Sequence, residues 1–466
     1  MTSLLIPVNS MSRLLRNKSL FVILLLALLI RLTLLITVLV KNPDGIYVYD
    51  SYGYWNLGYN MFHNGAFSQN DDVPLDPDYY RTPVYPVFIA FAELTGPEGV
   101  SVIILQIILS VLTCYFVYRL AEEVTKNRFI SNTAALIVAL DLPSVAISAI
   151  VLTETLFTFL MVLTFYFFTR FLNNGRRKDL ICAALFSGLL ILCRPVAFCI
   201  PVLFSAFILY RSFRTIKVFL RNILLYGGIV FFTLSPWLLR NRITFGHFFI
   251  SVIREHNLLN YQAAAVYAER YGRPLPESQS ILRWKTFREF KGDAYKQPYE
   301  YAGFIEKEAV SVIFDSPLIF LKQQVVQVGY FFLKPTCAYF EIQFGHWGKG
   351  YNTIPKDYKV FESFFKRTGK VTIVLVLFQV IMLLLVYAAC IAGIIFMRRQ
   401  TWMLPLSLFL LTIVCFAVMN LPPVTEARFR VPVVPLIAII SACGIFYLKE
   451  NCLPLIRKNK KTISQR

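Results

Sequence analysis

LFVILLLALLIRLTLLITVLVKNPDGIYVYDSYGYW, residues 20–55, decides the architecture of the chain. Leu20 to Val40 is long enough to cross a hydrocarbon core as one helix, which takes about 20 apolar residues, and the chain beyond it turns at once acidic and aromatic. The run is too long for the apolar part of a signal peptide and lacks a convincing small-residue cleavage site, so it is expected to stay attached as a membrane anchor. Similar runs recur at Val371 to Met397 and Val431 to Leu448. Over 466 residues the chain is 57% apolar and 16% charged, against roughly 25% charged in soluble globular chains. This composition describes an all-α polytopic membrane protein.

The formal net charge of +20 would point to nucleic acid if it lay on one soluble face. It lies instead in short loops between apolar runs, so no nucleic-acid partner is expected. Arg13, Arg16 and Lys18 precede the first run; Arg170, Arg176, Arg177 and Lys178 follow a later one. Arg211, Arg214, Lys217 and Arg221 form another cluster, Arg398 and Arg399 a further one, and Lys449, Arg457, Lys458, Lys460 and Lys461 close the chain. By the positive-inside rule these loops are cytoplasmic. Placing them all on one side gives about ten spans with both termini in the cytoplasm: Leu20 to Val40, Val100 to Tyr118, Phe129 to Leu140, Ile147 to Thr169, Leu180 to Cys193, Pro195 to Tyr210, Ile223 to Leu239, Val371 to Met397, Trp402 to Leu421 and Val431 to Leu448. The pair broken at Arg194 and Pro195 reads either as half-helices or as a kinked hairpin, because proline interrupts the helical ladder.

The segments are therefore 1–40 (cytoplasmic start and first span), 41–99 (first outer loop), 100–239 (bundle), 240–370 (second outer loop), 371–448 (last spans) and 449–466 (basic cytoplasmic tail). The first outer loop carries Asp44, Asp50, Asp71, Asp72, Asp76 and Asp78 against few bases. The second contains SPLIFLKQQVVQVGYFFLKP, residues 316–335, an amphipathic stretch expected at the interface or docked on the bundle. Cys114, Cys182, Cys193, Cys390, Cys415 and Cys443 fall inside apolar runs without metal or disulfide spacing and read as small hydrophobes.

Ionisable residues at the outer ends of spans carry the chemical information, since charge near lipid is costly unless it is paired or useful. Asp50 in YVYDSYGYW, among Tyr47, Tyr49, Tyr52, Tyr54 and Trp55, is placed either as a general base beside sugar-stacking rings or as an Asp capping a helix at an aromatic belt. Arg81, after Tyr80 in YYRTPVYP, offers a bidentate fork for phosphate or anchors to headgroups. Asp141 and Glu154 flank a short outer turn, and Glu154 enters an apolar span in VLTETLFTFL, facing substrate or another helix. Arg194 in LCRPVAF faces a cavity or the interface. Arg240 in SPWLLRNRITFG suits anchoring beside Trp237. Glu426, Arg428 and Arg430 in LPPVTEARFRVPVVP lie on an outer turn where few arginines are expected, explained by an anionic ligand or by a Glu426 to Arg430 ion pair.

No phosphate-binding glycine loop, HExxH or nucleophile elbow is present, and His63, His247, His256 and His346 are scattered over the outer segments. The ordered set YDSYGYW, YYRTPVYPVFIA, TETLFTFL, LCRPVAF, SPWLLRNRITFG and TEARFRVPVVP resembles the bacterial protein mannosyltransferase-like and aminoarabinose-transferase-like branch of the GT-C glycosyltransferases, over nearly the whole chain. The resemblance implies a GT-C bundle in which Asp50 is the catalytic base, Arg81 holds the donor phosphate and Glu154, corresponding to an acidic residue opening the fourth span, is catalytic with Asp50. Arg194, Arg240, Glu426, Arg428 and Arg430, with Tyr54 and Tyr80, fall to donor phosphate or acceptor. It further implies a polyprenyl-phosphate sugar donor, a lipid, glycan or protein acceptor, inversion at the anomeric carbon, no cofactor or obligatory metal, and a site facing the exterior of a bacterial plasma membrane. The competing readings are a transporter or flippase, which favours charges at the midplane and internal repeats, and a polymerase or ligase for diphosphate-linked glycans.

Overall fold

The computed structural model describes residues 17–96, 99–345, 370–397, 402–419 and 426–463. Among these every regular element is helical. Arg13, Arg16, Arg398, Arg399 and His346 lie outside the described residues. Each of the ten expected runs lies largely in helix. Among the described residues seven helices are long and apolar enough to cross a membrane, and up to nine spans result if each of two bent pairs counts once, one of which, Pro298–Phe314 with Pro317–Leu333, falls in the expected second outer loop. Phe129 to Leu140 reaches span length only together with Leu142–Ser148, across a bend of 56° at Asp141, and Leu180 to Cys193 lies in the 17-residue helix Arg177–Cys193, below span length. Trp402 to Leu421 forms the shorter helix Met403–Met419.

The break at Arg194 resolves into two helices, Arg177–Cys193 and Cys199–Ser212, joined by an extended Arg194 (φ −148°, ψ 123°) and the 3₁₀ turn Pro195–Phe198. Proline cannot donate to the helix and biases the residue before it towards extended backbone, so the chain stops where the sequence reads RP.

Glu154–Asn174 is the central column. Sixteen of its residues are buried, and it packs between Val100–Thr125 and Arg177–Cys193. Lys370–Met397 lies at the edge, with wide faces of Val, Leu and Ile exposed. Apolar side chains gain little from leaving lipid for protein, so close backbone approach holds spans together. At Gly393 and Gly444 an added Cβ would stand 2.1 Å from the Ile440 carbonyl oxygen and 1.9 Å from that of Ala389. Only glycine fits this crossing of Lys370–Met397 with Val434–Ile463.

The helix Glu154–Asn174 starts at Glu154 and ends beside Arg176 and Arg177, from which Arg177–Cys193 returns to Arg194. Glu154 and Arg194 therefore share one end of the bundle, and this basic loop the other. The stretch 316–335 forms the helix Pro317–Leu333, set at 97° to Pro298–Phe314, with only Gln327 and Phe331 of it buried.

Candidate active site

Asp50 lies in the first turn of Tyr49–His63, where a carboxylate is favoured by the helix dipole. The turn is fixed by Ser51, whose hydroxyl accepts from the Val48 amide at 2.9 Å. Asp50 Oδ1 accepts from Arg81 Nη2 at 3.1 Å, and Oδ2 lies 2.8 Å from Arg428 Nη1. One carboxylate, with 30% of its side chain exposed, thus sits between two guanidiniums brought from residues far apart in the chain. Burial raises its pKa, but the charges of Arg428 and then Arg81, with their hydrogen bonds, outweigh burial and hold the carboxyl at about 2.

Arg81 owes its position to Asp78. That carboxylate accepts from the backbone amides of Tyr80 at 3.1 Å and Arg81 at 2.7 Å, an Asx turn that aims the arginine. Arg81 Nη1 then donates to the Tyr54 hydroxyl at 2.9 Å, with its guanidinium 4.3 Å from the Tyr54 ring and 5.3 Å from that of Tyr80. The next residue stitches two motifs together: the Thr82 hydroxyl donates to the Cys193 carbonyl at 3.1 Å, tying YYRTP to LCRP.

Glu154 is almost wholly enclosed and meets Arg194 Nη1 at 2.6 Å. Arg428 Nε is 2.9 Å from Glu426 Oε2 and 3.9 Å from Glu154 Oε1, so Arg428 touches all three carboxylates. The neighbouring ion pairs join into one assembly of Asp50, Glu154 and Glu426 with Arg81, Arg194 and Arg428. Its formal charges cancel. The Nε of Arg81 is buried and donates no hydrogen bond, leaving donor capacity for an incoming anion.

Arg240 and Arg430 stand apart. Arg240 Nη1 donates to the Asp78 carbonyl at 2.7 Å and to Asn241 Oδ1 at 2.8 Å, beneath the turn that carries Arg81. Arg430 is buried and donates to the carbonyls of Phe331 at 3.0 Å and Phe332 at 2.6 Å. Arg428 and Arg430 share the 3₁₀ helix Ala427–Val433, whose turn of about 120° per residue points them to different neighbours. Of the two readings of this turn, the Glu426 to Arg430 ion pair does not form; Glu426 pairs with Arg428 instead. Asp141 caps Leu142–Ser148 through the Ser144 amide and hydroxyl, outside the cluster.

Sequence reading overlooked Tyr339, whose hydroxyl donates to Glu426, and the positioning work of Asp78. It also passed over Arg31, fully buried in the first span, although a charge inside an apolar run was a legible signal. Among the described residues no group of three or more His, Cys, Asp or Glu side chains is arranged to hold a metal ion.

Residues 80–239 match the family model described as dolichyl-phosphate-mannose-protein mannosyltransferase. No curated protein matches the chain in sequence. Among solved structures, the oligosaccharyltransferase AglB from Archaeoglobus fulgidus, in complex with an inhibitory peptide and a dolichol-phosphate, is 15% identical with a TM-score of 0.52; the match covers 97% of this chain and 52% of AglB. ArnT from Cupriavidus metallidurans, bound to undecaprenyl phosphate, is 14% identical with a TM-score of 0.39, covering 90% of this chain and 77% of ArnT. The chain thus spans about half the length of AglB. The family match thus runs from the turn that bears Arg81 through the central column to the end of the bundle, and the helical fold is similar to that of AglB.

Proposed function

We propose that the chain transfers a sugar from a polyprenyl monophosphate to a hydroxyl of an acceptor at the outer face of the membrane, with Asp50 as general base. The carrying observation is the Asp50 carboxylate held between Arg81 and Arg428. The description of the matching family and the dolichol-phosphate bound to AglB agree with a lipid-phosphate donor. Nucleotide sugars stay in the cytoplasm, so a site opposite the basic loops needs a lipid carrier. The bundle end holding Asp50 is opposite the loop of Arg176 and Arg177, which the positive-inside rule assigns to the cytoplasm.

The electrostatics supply a sequence of events. A carboxylate held at about 2 is a poor base. A donor phosphate competes for the same two guanidiniums, and as Arg81 and Arg428 turn to it the carboxyl regains basicity when donor is present. Asp50 then removes the acceptor proton while the acceptor oxygen bonds to the anomeric carbon and the sugar–phosphate bond breaks. The electron pair leaves with the phosphate, where the arginines stabilise it. Glu154 positions Arg194 and Arg428, and Tyr54 and Tyr80 border Arg81. A single displacement inverts the anomeric carbon.

The test is transfer by purified protein in proteoliposomes supplied with monophosphate-linked or diphosphate-linked sugar. Transfer from the monophosphate alone, lost in Asp50→Asn, is expected. Near-normal transfer by folded Asp50→Asn would overturn the assignment.

A further inference from the structure

Beside the Asp50 site the chain builds a second concave surface. Residues 253–314 form a small helical layer packed around Leu259, Ala263, Leu282, Ile305 and Ala309, and a cleft of about 430 Å³ opens on it. One wall is the π-helical turn Leu258–Ala263. Such turns are rare and concentrate where a helix must present side chains for function. This one serves two neighbours. Asn260 lines the cleft, with its Oδ1 shielded from solvent and accepting no hydrogen bond. The next residue, Tyr261, lies within electrostatic reach of Asp50 and Arg428.

The cleft adjoins the carboxylate site through a chain of rings. His256, on its wall, packs 5.4 Å from the Tyr80 ring, which itself faces the Arg81 guanidinium at 5.3 Å. Trp284 and Tyr295 line the cleft yet remain 65% and 75% exposed, broad faces with little covering them. Arg283 lies beside them, and among the described residues its guanidinium makes no ion pair. Burial, reinforced by the Arg283 charge, holds the His256 imidazole down at about 4, so at neutral pH the cation lining the cleft is Arg283.

Aromatic faces, an unpaired amide acceptor and an unpaired guanidinium fit one chemical class. A sugar ring presents C–H faces to aromatic rings and hydroxyls to an amide oxygen, and a carboxylate on that ring matches the guanidinium fork. We infer that this cleft binds the acceptor as a carbohydrate bearing carboxylate groups, with Trp284 and Tyr295 stacking, Asn260 accepting a hydroxyl and Arg283 pairing with the acid. The word acceptor rests on the sugar-transfer reading of Asp50; the binding does not.

Calorimetric titration of the full chain in nanodiscs with three tetrasaccharides tests this: tetragalacturonate, mannotetraose and the tetramer of glucosamine. Tetragalacturonate is expected to bind, to weaken about tenfold or more in Trp284→Ala, and to lose its advantage over mannotetraose in Arg283→Ala. Binding by none of the three, or undiminished binding in both variants, overturns the inference. Strong quenching of the Trp284 emission by brominated lipid would assign these rings to the bilayer and overturn it as well. Asp50→Asn separates the two readings: it should bind tetragalacturonate as wild type does, and if it also retained transfer the catalytic assignment would fall while the cleft stood.

Discussion

Arg428 and Arg430 are separated only by Phe429 in sequence, and the regions they enter are built on opposite electrostatic plans. Around Arg428 the partners are carboxylates, those of Asp50, Glu426 and Glu154. Around Arg430 they are backbone carbonyls, those of Phe331, Phe332 and, at 3.5 Å, Lys334. Arg31 follows the second plan, donating to Ser110 Oγ at 2.8 Å and to the carbonyls of Ala27 and Ala139 at 3.1 and 3.2 Å. Asp141 adds only a longer-range attraction to both buried arginines. A guanidinium satisfied by carbonyls is part of the frame, because moving it leaves buried acceptors unpaired. One satisfied by carboxylates can exchange one anion for another while remaining paired.

That contrast breaks most visibly at Asp50. Asp50→Asn keeps size and hydrogen-bonding capacity but removes the proposed base, and transfer should fall about 10²–10⁴-fold while the protein remains folded, read as product formed per folded protein. Next, Arg428→Gln should cost about 10²–10³-fold in transfer, by loss of charge stabilisation at the departing phosphate. Arg430→Gln should leave transfer per folded molecule within severalfold of wild type. Its effect should appear in thermal denaturation instead, as destabilisation of about 1–3 kcal/mol for each buried carbonyl left unpaired. If Arg430→Gln silenced transfer without lowering stability, the division between the two regions would fail.

The smallest effect is on pH dependence. The Asp50 carboxyl is depressed to about 2 in the folded protein, against about 3.9 when unfolded. Its ion pairs therefore contribute stability that is fully present above about pH 4 and lost as pH falls through about 2. Arg428→Gln should move that loss upward, towards the ordinary carboxylate range, in acid-unfolding curves monitored by near-ultraviolet dichroism. An unshifted curve would mean that Arg428 does not act on Asp50.

Much of the fold and of the cluster was legible because both announce themselves as interruptions. Apolar runs broken by basic loops mark the helices, and Asp50, Arg81, Glu154, Arg194, Glu426 and Arg428 each stand at the edge of such a run. Sequence could not sort Arg428 from Arg430, since their difference is a rotation within a 3₁₀ helix. Nor could it reveal that Tyr339, 87 residues from Glu426, reaches it, or that Asp78 sets the aim of Arg81 through backbone amides. Helix count was harder for another reason: a bend at Asp141 divides an apolar stretch between two short helices.

The Gly393 and Gly444 contact has a reach beyond its own location. The helix that holds Gly444 is continuous with the turn that holds Arg428, so a methyl group added at either glycine would wedge the last span outward and tilt its upper end. A methyl group buried at a helix crossing would then register as a displaced Arg428 guanidinium, and Gly444→Ala is expected to lower transfer although it alters no charged side chain.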